Sequence, residues 1–459
     1  MSTTAPSPTP TISPAWRLEV RDLLRLAGPL VGGQLALMGL NFTDTVMAGR
    51  IDAIALAAVA IGNSVWSAVN LFVMGVLMAV PPSIAQLDGA GRRPAVAPFA
   101  RQSLWLAAGL IVVAVMAVTQ IRPLLVAVGV QAEIIPTVVA YLRAMAWGIP
   151  AWGFYLTLRF VSEGLGATRP TLYFALVGLA VNIPANYALM FGKLGLPAIG
   201  AEGCGYATAC VWWVQVISIL IYLARHPRYD DLGLFALFEG PRRQELGDLL
   251  RVGLPIGIAI FVEASLFATV ALLLGSLGTK IVAAHQVALN FVAITFMIPV
   301  GLSMAISVRV GNAVGRRDPP GIRRAAIVGV AVVMAVQVFS ATCMLLFPEP
   351  IARIYTGDTE IVVIAVQLLF LAAVFQLSDG LQVSASGALR GLKDTRVPML
   401  LTLVAYWLCG LPLGHALAFR WQLEARGMWI GLIAGLTLAA LLLTVRLRRV
   451  LPAAEVESS

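Results

Sequence analysis

Long apolar runs, separated by short polar segments that carry arginine, recur along nearly the whole chain. A window of about 20 apolar residues, the length a helix needs to cross a bilayer, finds about twelve of them. Their centres fall near Ala36, Leu71, Ile111, Trp147, Ala180, Val214, Phe261, Ile294, Val333, Leu371, Tyr406 and Leu436. The pattern predicts an all-α polytopic membrane protein with both ends of the chain on one side.

The first run, Leu23 to Arg50, holds a lone carboxylate. Counting about 1.5 Å per residue from Leu23, Asp44 lies roughly 31 Å along the helix. At bilayer depth such a charge costs about 2.5–3.5 kcal/mol, which makes it a functional candidate. The alternative is a terminal residue at the membrane face. Pro29 frees a backbone carbonyl on the same helix, and Gly28, Gly32, Gly33 and Gly39 permit bending or close packing, so Pro29 is a candidate hinge.

Composition agrees with this class. The 459 residues are 59% hydrophobic and only 12% charged, and the mean hydropathy of +0.88 excludes a soluble globular chain. The formal charge of +9 has a topological origin. Arg92, Arg93 and Arg101, then Arg225, Arg228, Arg242 and Arg243, then Arg316, Arg317, Arg323 and Arg324, then Arg390, Lys393 and Arg396 fall in alternate loops, whereas the intervening loops carry mostly single charges. The positive-inside rule puts the rich loops and both termini in the cytoplasm, which argues against nucleic-acid binding. The first sixteen residues lack the charged and apolar regions of a signal peptide and read as a polar tail. Cys204, Cys210, Cys343 and Cys409 lie in apolar runs without a CxxC pair and read as packing residues, so no cofactor is expected.

The chain also repeats itself at long period. Leu23-Leu24-Arg25-Leu26-Ala27-Gly28-Pro29 is echoed by Leu249-Leu250-Arg251-Val252-Gly253-Leu254-Pro255, and Gly91-Arg92-Arg93 by Gly315-Arg316-Arg317. Gly164-Leu165-Gly166-Ala167-Thr168-Arg169-Pro170 is echoed by Gly391-Leu392-Lys393-Asp394-Thr395-Arg396-Val397-Pro398. The nearly constant offset predicts two six-helix lobes of like orientation, with a site between or within them. The expected division is a tail over 1–16, an amino-terminal lobe over 17–224, a cytoplasmic linker over 225–248, a carboxy-terminal lobe over 249–450 and a second tail over 451–459.

The repeat serves as an internal control. Asp44, Glu263 and Asp379 each sit in apolar context and have no acidic counterpart in the other half, so the shared scaffold does not require them. Desolvation favours the neutral form of a carboxyl group, which suits one that must take up and release a cation. A structural ion pair with Arg143 or Arg159 is the alternative. Asn182 and Asn186, four apart and hence on one helix face, are candidates to hydrogen-bond Asp44. Gln286 and Asn290 likewise share a face and are candidates to line a path beside Glu263, while His285 reads as interfacial.

The stretches NFTDTVMAGR, NIPAN, EGCGYATA, LFATVALL, AAHQVALNF, ISVRVGNAVG and SGALRGLKD together resemble the multidrug and toxic compound extrusion transporters, specifically their NorM-type bacterial branch. The resemblance runs from the first span to the eleventh. It implies a V-shaped pair of six-helix lobes in a bacterial inner membrane, acting as a monomer that exports small organic cations by alternating access against H+ or Na+. On that analogy Asp44, Asn182 and Asn186 form one cation site, and Glu263 with Asp379 another, which would be a metal site if Na+ is the ion. A tyrosine found in some relatives one turn before the tenth-span aspartate is Phe375 here, and its lack of an oxygen ligand favours H+.

Phe42, Phe261, Phe267, Phe291, Phe375 and Met38 are candidate drug-contacting surface. A flippase for lipid-linked precursors is the alternative, which Arg143 and Arg159 keep open because an anionic head group calls for cations. A membrane-embedded enzyme is not expected, since no HExxH, GxSxG or comparable constellation is present. The topology makes a direct prediction. A Gly240→Cys variant is expected to resist an impermeant thiol reagent on intact cells and to react after permeabilisation; labelling from outside would invert the assignment.

Overall fold

A computed structural model describes residues 14–452 apart from residues 194 and 196. The tail expected over 1–16 lies mostly outside the described residues, but Pro14–Trp16 already belong to the first helix, and 453–459 are likewise outside. Among the described residues there is no strand. Among them, eleven helices are long and apolar enough to cross a membrane.

The first half comprises α1 (Pro14–Ala48), α2 (Ala53–Leu77) with its continuation α3 (Val80–Gly89), α4 (Val96–Thr119), the short α5 (Arg122–Ala127), α6 (Ile135–Ala146), α7 (Ile149–Gly164), α8 (Arg169–Phe191) and α9 (Gly200–Arg225). The second comprises α10 (Arg243–Gly275), α11 (Thr279–Gly315), α12 (Pro319–Leu346), the short α13 (Pro348–Tyr355), α14 (Thr359–Gly391), α15 (Arg396–Leu403), α16 (Leu411–His415) and α17 (Glu424–Val450). A further crossing, the fourth along the chain, is split. Its halves α6 and α7 meet at Trp147 and Gly148, where Pro150 lacks the amide needed to continue the ladder. α15 and α16 are joined and followed by π-helical stretches, Val404–Gly410 and Ala416–Arg420, which complete the eleventh crossing.

The first six crossings pack chiefly on one another, as do the last six, with α14 central to the second group. Trp66, Trp152 and Trp212 from α2, α7 and α9 tie the first group together; Trp66 lies 4.9 and 5.1 Å, centroid to centroid, from the other two rings. The two groups meet through α1 with α11, α2 with α10, and α3 with α11.

Glycine determines how closely they meet. A Cβ added at Gly75 would fall 2.6 Å from the Gly257 Cα, and Cβ atoms at Gly89 and Gly315 would collide with the Asn312 and Gln86 carbonyls across the seam. Polar contacts reinforce the same end. The Arg309 guanidinium grips Glu19 with two hydrogen bonds of 2.8 and 2.7 Å, Gln86 donates to the Gly391 carbonyl at 2.9 Å, and Asn312 reaches Asp88 at 3.5 Å. These contacts crowd the face that carries the linker. Toward the opposite face, α1 residues such as Phe42 (70% exposed) and α11 residues Gln286, Asn290 and Ile294 are exposed. The molecule is therefore closed at the linker face, with these surfaces uncovered toward the other.

The linker is shorter than expected and is fastened down. α10 starts at Arg243 and absorbs the end of the segment expected over 225–248, because Glu245 and the apolar positions after it continue the helical pattern. Arg93 pairs with Asp231 at 2.7 Å, Arg101 with Glu239 at 2.5 Å, and Gln102 both donates to the Gly240 carbonyl and accepts from the Arg242 amide. Arg93 holds the Asp231 carboxyl below its ordinary value, so this clasp is complete near neutrality and loosens as pH falls through the depressed value.

The seam makes a steric prediction. Gly75→Leu is expected to hold the linker face open, and a cysteine placed at Ser307, buried there in α11, should label faster in that background than in the parent. Unchanged labelling would mean that close helix approach at Gly75 is dispensable.

Candidate functional site

α1 and α8 run side by side in parallel, and small residues set their spacing. A Cβ at Gly33 would touch Thr171 at 3.0 Å, and one at Gly39 would touch Leu179 at 3.6 Å. Continuing that register brings Asn182 and Asn186, successive turns of α8, against Asp44. The Asn182 and Asn186 amides donate to the same carboxylate oxygen at 3.0 and 2.6 Å, and Asn186 also donates to the Asn182 carbonyl at 3.1 Å. Asp44 is only 4% exposed and the two asparagines essentially inaccessible, which removes the reading of Asp44 as a solvated terminal residue. No cation pairs with it among the described residues.

The site has further walls. Cys204 and Thr208 of α9 border the Asp44 carboxylate, and the buried Tyr141 hydroxyl donates to Asn63 at 2.8 Å beside them. Cys204, expected to be a packing residue, thus lies next to the charge. The Asn186 carbonyl oxygen is buried without a donor among the described residues, leaving a free acceptor beside Asp44.

In the second half Asp379 of α14 is buried and Glu263 of α10 half-buried, close enough for their charges to act on each other. Gln382, one turn beyond Asp379 on α14, lies beside Glu263, and Arg390 farther along the same helix is near enough to attract it. Gln286 and Asn290, expected to line a path beside Glu263, are exposed on α11 and enter no side-chain hydrogen bond among the described residues. His285 was expected at the interface but is buried, accepting from Trp429 Nε1 at 3.2 Å.

Three groups escaped the reading of the sequence. Tyr406 lies near both Glu263 and Asp379, fully buried, its hydroxyl without a partner among the described residues. It sits in a π-helical stretch, a local widening that re-aims side chains and recurs at functional sites. Arg390, expected as a loop charge, points inward from α14 and donates to Ser303 at 2.6 Å. Glu163 is a further buried acid, paired with Arg159 at 3.0 Å and accepting from Thr171 at 2.7 Å. The repeat held the signal: Glu163 precedes Gly164-Leu165 as Arg390 precedes Gly391-Leu392, so equivalent positions carry opposite charges.

Arg159 is thereby engaged with an acid outside the expected three, and Arg143 is exposed. Neither is paired with Asp44, Glu263 or Asp379 among the described residues, and Arg159 is not a free cation for an anionic head group.

A family model described as MatE matches the chain twice, over residues 29–188 and 255–415, once in each half. The chain belongs to the MatE family. Among curated relatives of this MatE chain, the probable multidrug resistance protein NorM of Xanthomonas axonopodis pv. citri is 44% identical over 440 residues, covering 96% of each chain. The multidrug resistance protein PmpM of Pseudomonas aeruginosa is 45% identical over 439 residues, 94% of this chain and 92% of that one. The fold matches solved structures of the eukaryotic MATE transporter AtDTX14 (TM-score 0.86, 21% identity, 94% of this chain and 96% of that one). It also matches an outward-facing multidrug resistance MATE family transporter (TM-score 0.86, 20% identity, 96% and 98%). The protein is therefore a multi-pass membrane protein of a multidrug transporter family.

The buried Arg159–Glu163 pair makes a stability prediction. Glu163→Ala strands a buried guanidinium and is expected to cost about 3–5 kcal/mol. An Arg159→Met, Glu163→Leu double substitution should recover most of that loss. Thermal unfolding of purified protein checks both, and a harmless Glu163→Ala would show the pair to be solvated.

Proposed function

We propose that this transporter is a secondary antiporter that expels small organic cations while protons flow inward through its buried carboxylates. The observation that carries this reading is Asp44: a carboxylate in apolar surroundings, bound by two neutral amides and by no cation among the described residues. Such a group stores the capacity to bind either a proton or a cationic substrate, and it cannot hold both at full strength. Loading the coupling ion weakens the hold on the drug, and by reciprocity the drug weakens the hold on the ion.

The names of the relatives, multidrug resistance proteins, support a broad range of drugs. A cleft open at one face and sealed at the other supports alternating access. The reading puts the chain in a bacterial inner membrane as a monomer, with the linker face cytoplasmic, no cofactor and no catalytic reaction. Drug contact is assigned to the exposed apolar surface of the cleft, including Phe42.

The proton is the proposed ion because the acid pair of the second half is walled by aromatic rings. Phe375 packs 6.0 Å from Phe267 and 5.8 Å from Trp429, centroid to centroid, and offers no oxygen. Tyr406 is the observation that favours a second reading. Its hydroxyl, without a partner among the described residues and near Glu263 and Asp379, supplies one neutral oxygen of the kind that Na+ requires in exchange for its hydration.

Proteoliposomes with separately imposed gradients decide between them. A pH gradient alone is expected to drive dye transport, and Asp44→Asn, whose amide oxygen can still accept from Asn182 and Asn186, should fold normally yet transport at the protein-free background. Transport that needs a Na+ gradient and ignores pH selects the Na+ reading, and full activity of Asp44→Asn would place the coupling site elsewhere.

A further inference from the structure

Where α1 meets α12 on the outside of the molecule, the two halves leave an apolar groove of about 540 Å³, lined by Trp16 and Val20 of α1 and by Ile327, Val328, Val332 and Ala335 of α12. Its position is unusual in two respects. It straddles the seam between the halves rather than lying within either, and it lies directly outside the Glu19–Arg309 pair that ties them together, Glu19 being the neighbour of Val20. The seam at this face is the part of the molecule that must separate if the linker face is ever to open.

Charge selects the occupant. Arg323 and Arg324 stand one turn before Ile327 and Val328 on α12, so Arg324 shares the face that lines the groove, and both are half-buried. Arg17 follows Trp16 on α1 and is exposed. None of these three arginines has an ion pair among the described residues. The nearby acids Glu19 and Asp22 share Arg309, and the three unpaired arginines outweigh the one negative charge left over, so the mouth of the groove is net basic. A tryptophan at its rim matches the preference of indole for the head-group level. Basic residues at the membrane surface above an apolar crevice between helices are the pattern that recognises an acidic phospholipid.

We propose that this groove binds one acidic phospholipid of the linker-side leaflet, its phosphate held by Arg323, Arg324 and Arg17 and an acyl chain lying between α1 and α12. A lipid bound there touches both halves at once only while the linker face is closed. It therefore stabilises that conformation, whatever substrate or ion the cleft carries.

The test uses the full chain, delipidated in detergent, with phosphatidylglycerol or phosphatidylcholine of identical acyl chains added back. Bound lipid is counted by native mass spectrometry. Phosphatidylglycerol is expected to remain as a one-to-one adduct under conditions that remove phosphatidylcholine. Arg323→Gln with Arg324→Gln should weaken its binding roughly tenfold, Arg323→Lys with Arg324→Lys should retain it, and Ala335→Phe should abolish it by filling the groove. Should the glutamine variant fail to fold, Ala335→Phe and the comparison of the two lipids decide the matter. Equal retention of the two lipids, or undiminished phosphatidylglycerol binding in Ala335→Phe, would overturn the proposal.

Discussion

A carboxylate in hydrocarbon must be compensated where it stands, and much of the arrangement of the first half follows from how Asp44 is compensated. Leaving it bare costs about 2.5–3.5 kcal/mol on the insertion scale, and a hydrogen bond to a charged group returns about 1.5–3 kcal/mol. Two amides are therefore enough to hold the charge without neutralising it. A guanidinium partner would have locked it permanently, as Arg159 locks Glu163. To deliver both amides α8 must lie hard against α1, which the glycines of α1 permit. Of the two roles open to these glycines, bending and close packing, Gly32, Gly33 and Gly39 act in this conformation through close packing.

The second half answers the same constraint differently. Its two acids stand near one another, Glu263 within reach of Arg390, with Gln382 and a Tyr406 hydroxyl that has no partner among the described residues as neutral neighbours. One half has a single acid among amides, the other an acid pair beside a cation and a phenol. A duplicated scaffold carries two unlike sites, and the charge reversal between Glu163 and Arg390 shows the departure from symmetry at one matched position. The two halves are free to differ in side chains because the helix packing that relates them rests on glycine and apolar residues.

Access is governed by the seam. At the linker face, backbone meets backbone at Gly75 and Gly257, and the Glu19–Arg309 pair spans the halves. Glycine contacts lose little side-chain packing on separation, and an ion pair of this kind exchanges protein partners for water once exposed. Such a seam is tight when closed and inexpensive to part. That combination suits a face that opens and shuts, and a lipid seated across α1 and α12 adds a contribution from the bilayer itself.

The crossings, the duplication and the three unmatched acids were legible in the residues because each is a local property: apolar length, repeated motif, charge in apolar context. The pairing of Asp44 with Asn182 and Asn186 was legible in outline, since their spacing on α8 puts both on one face. What the residues alone did not determine is rotation. Gln286 and His285 are adjacent, yet only the packing of α11 decided that His285 turns inward to Trp429 while Gln286 faces out. Arg390 read as a loop charge until α14 extended past it, and Tyr406 had no acidic neighbour until a π-helical turn aimed it there. Helical periodicity states which residues share a face. Which face meets which helix depends on contacts between segments far apart in the chain, and those exist only in the folded molecule.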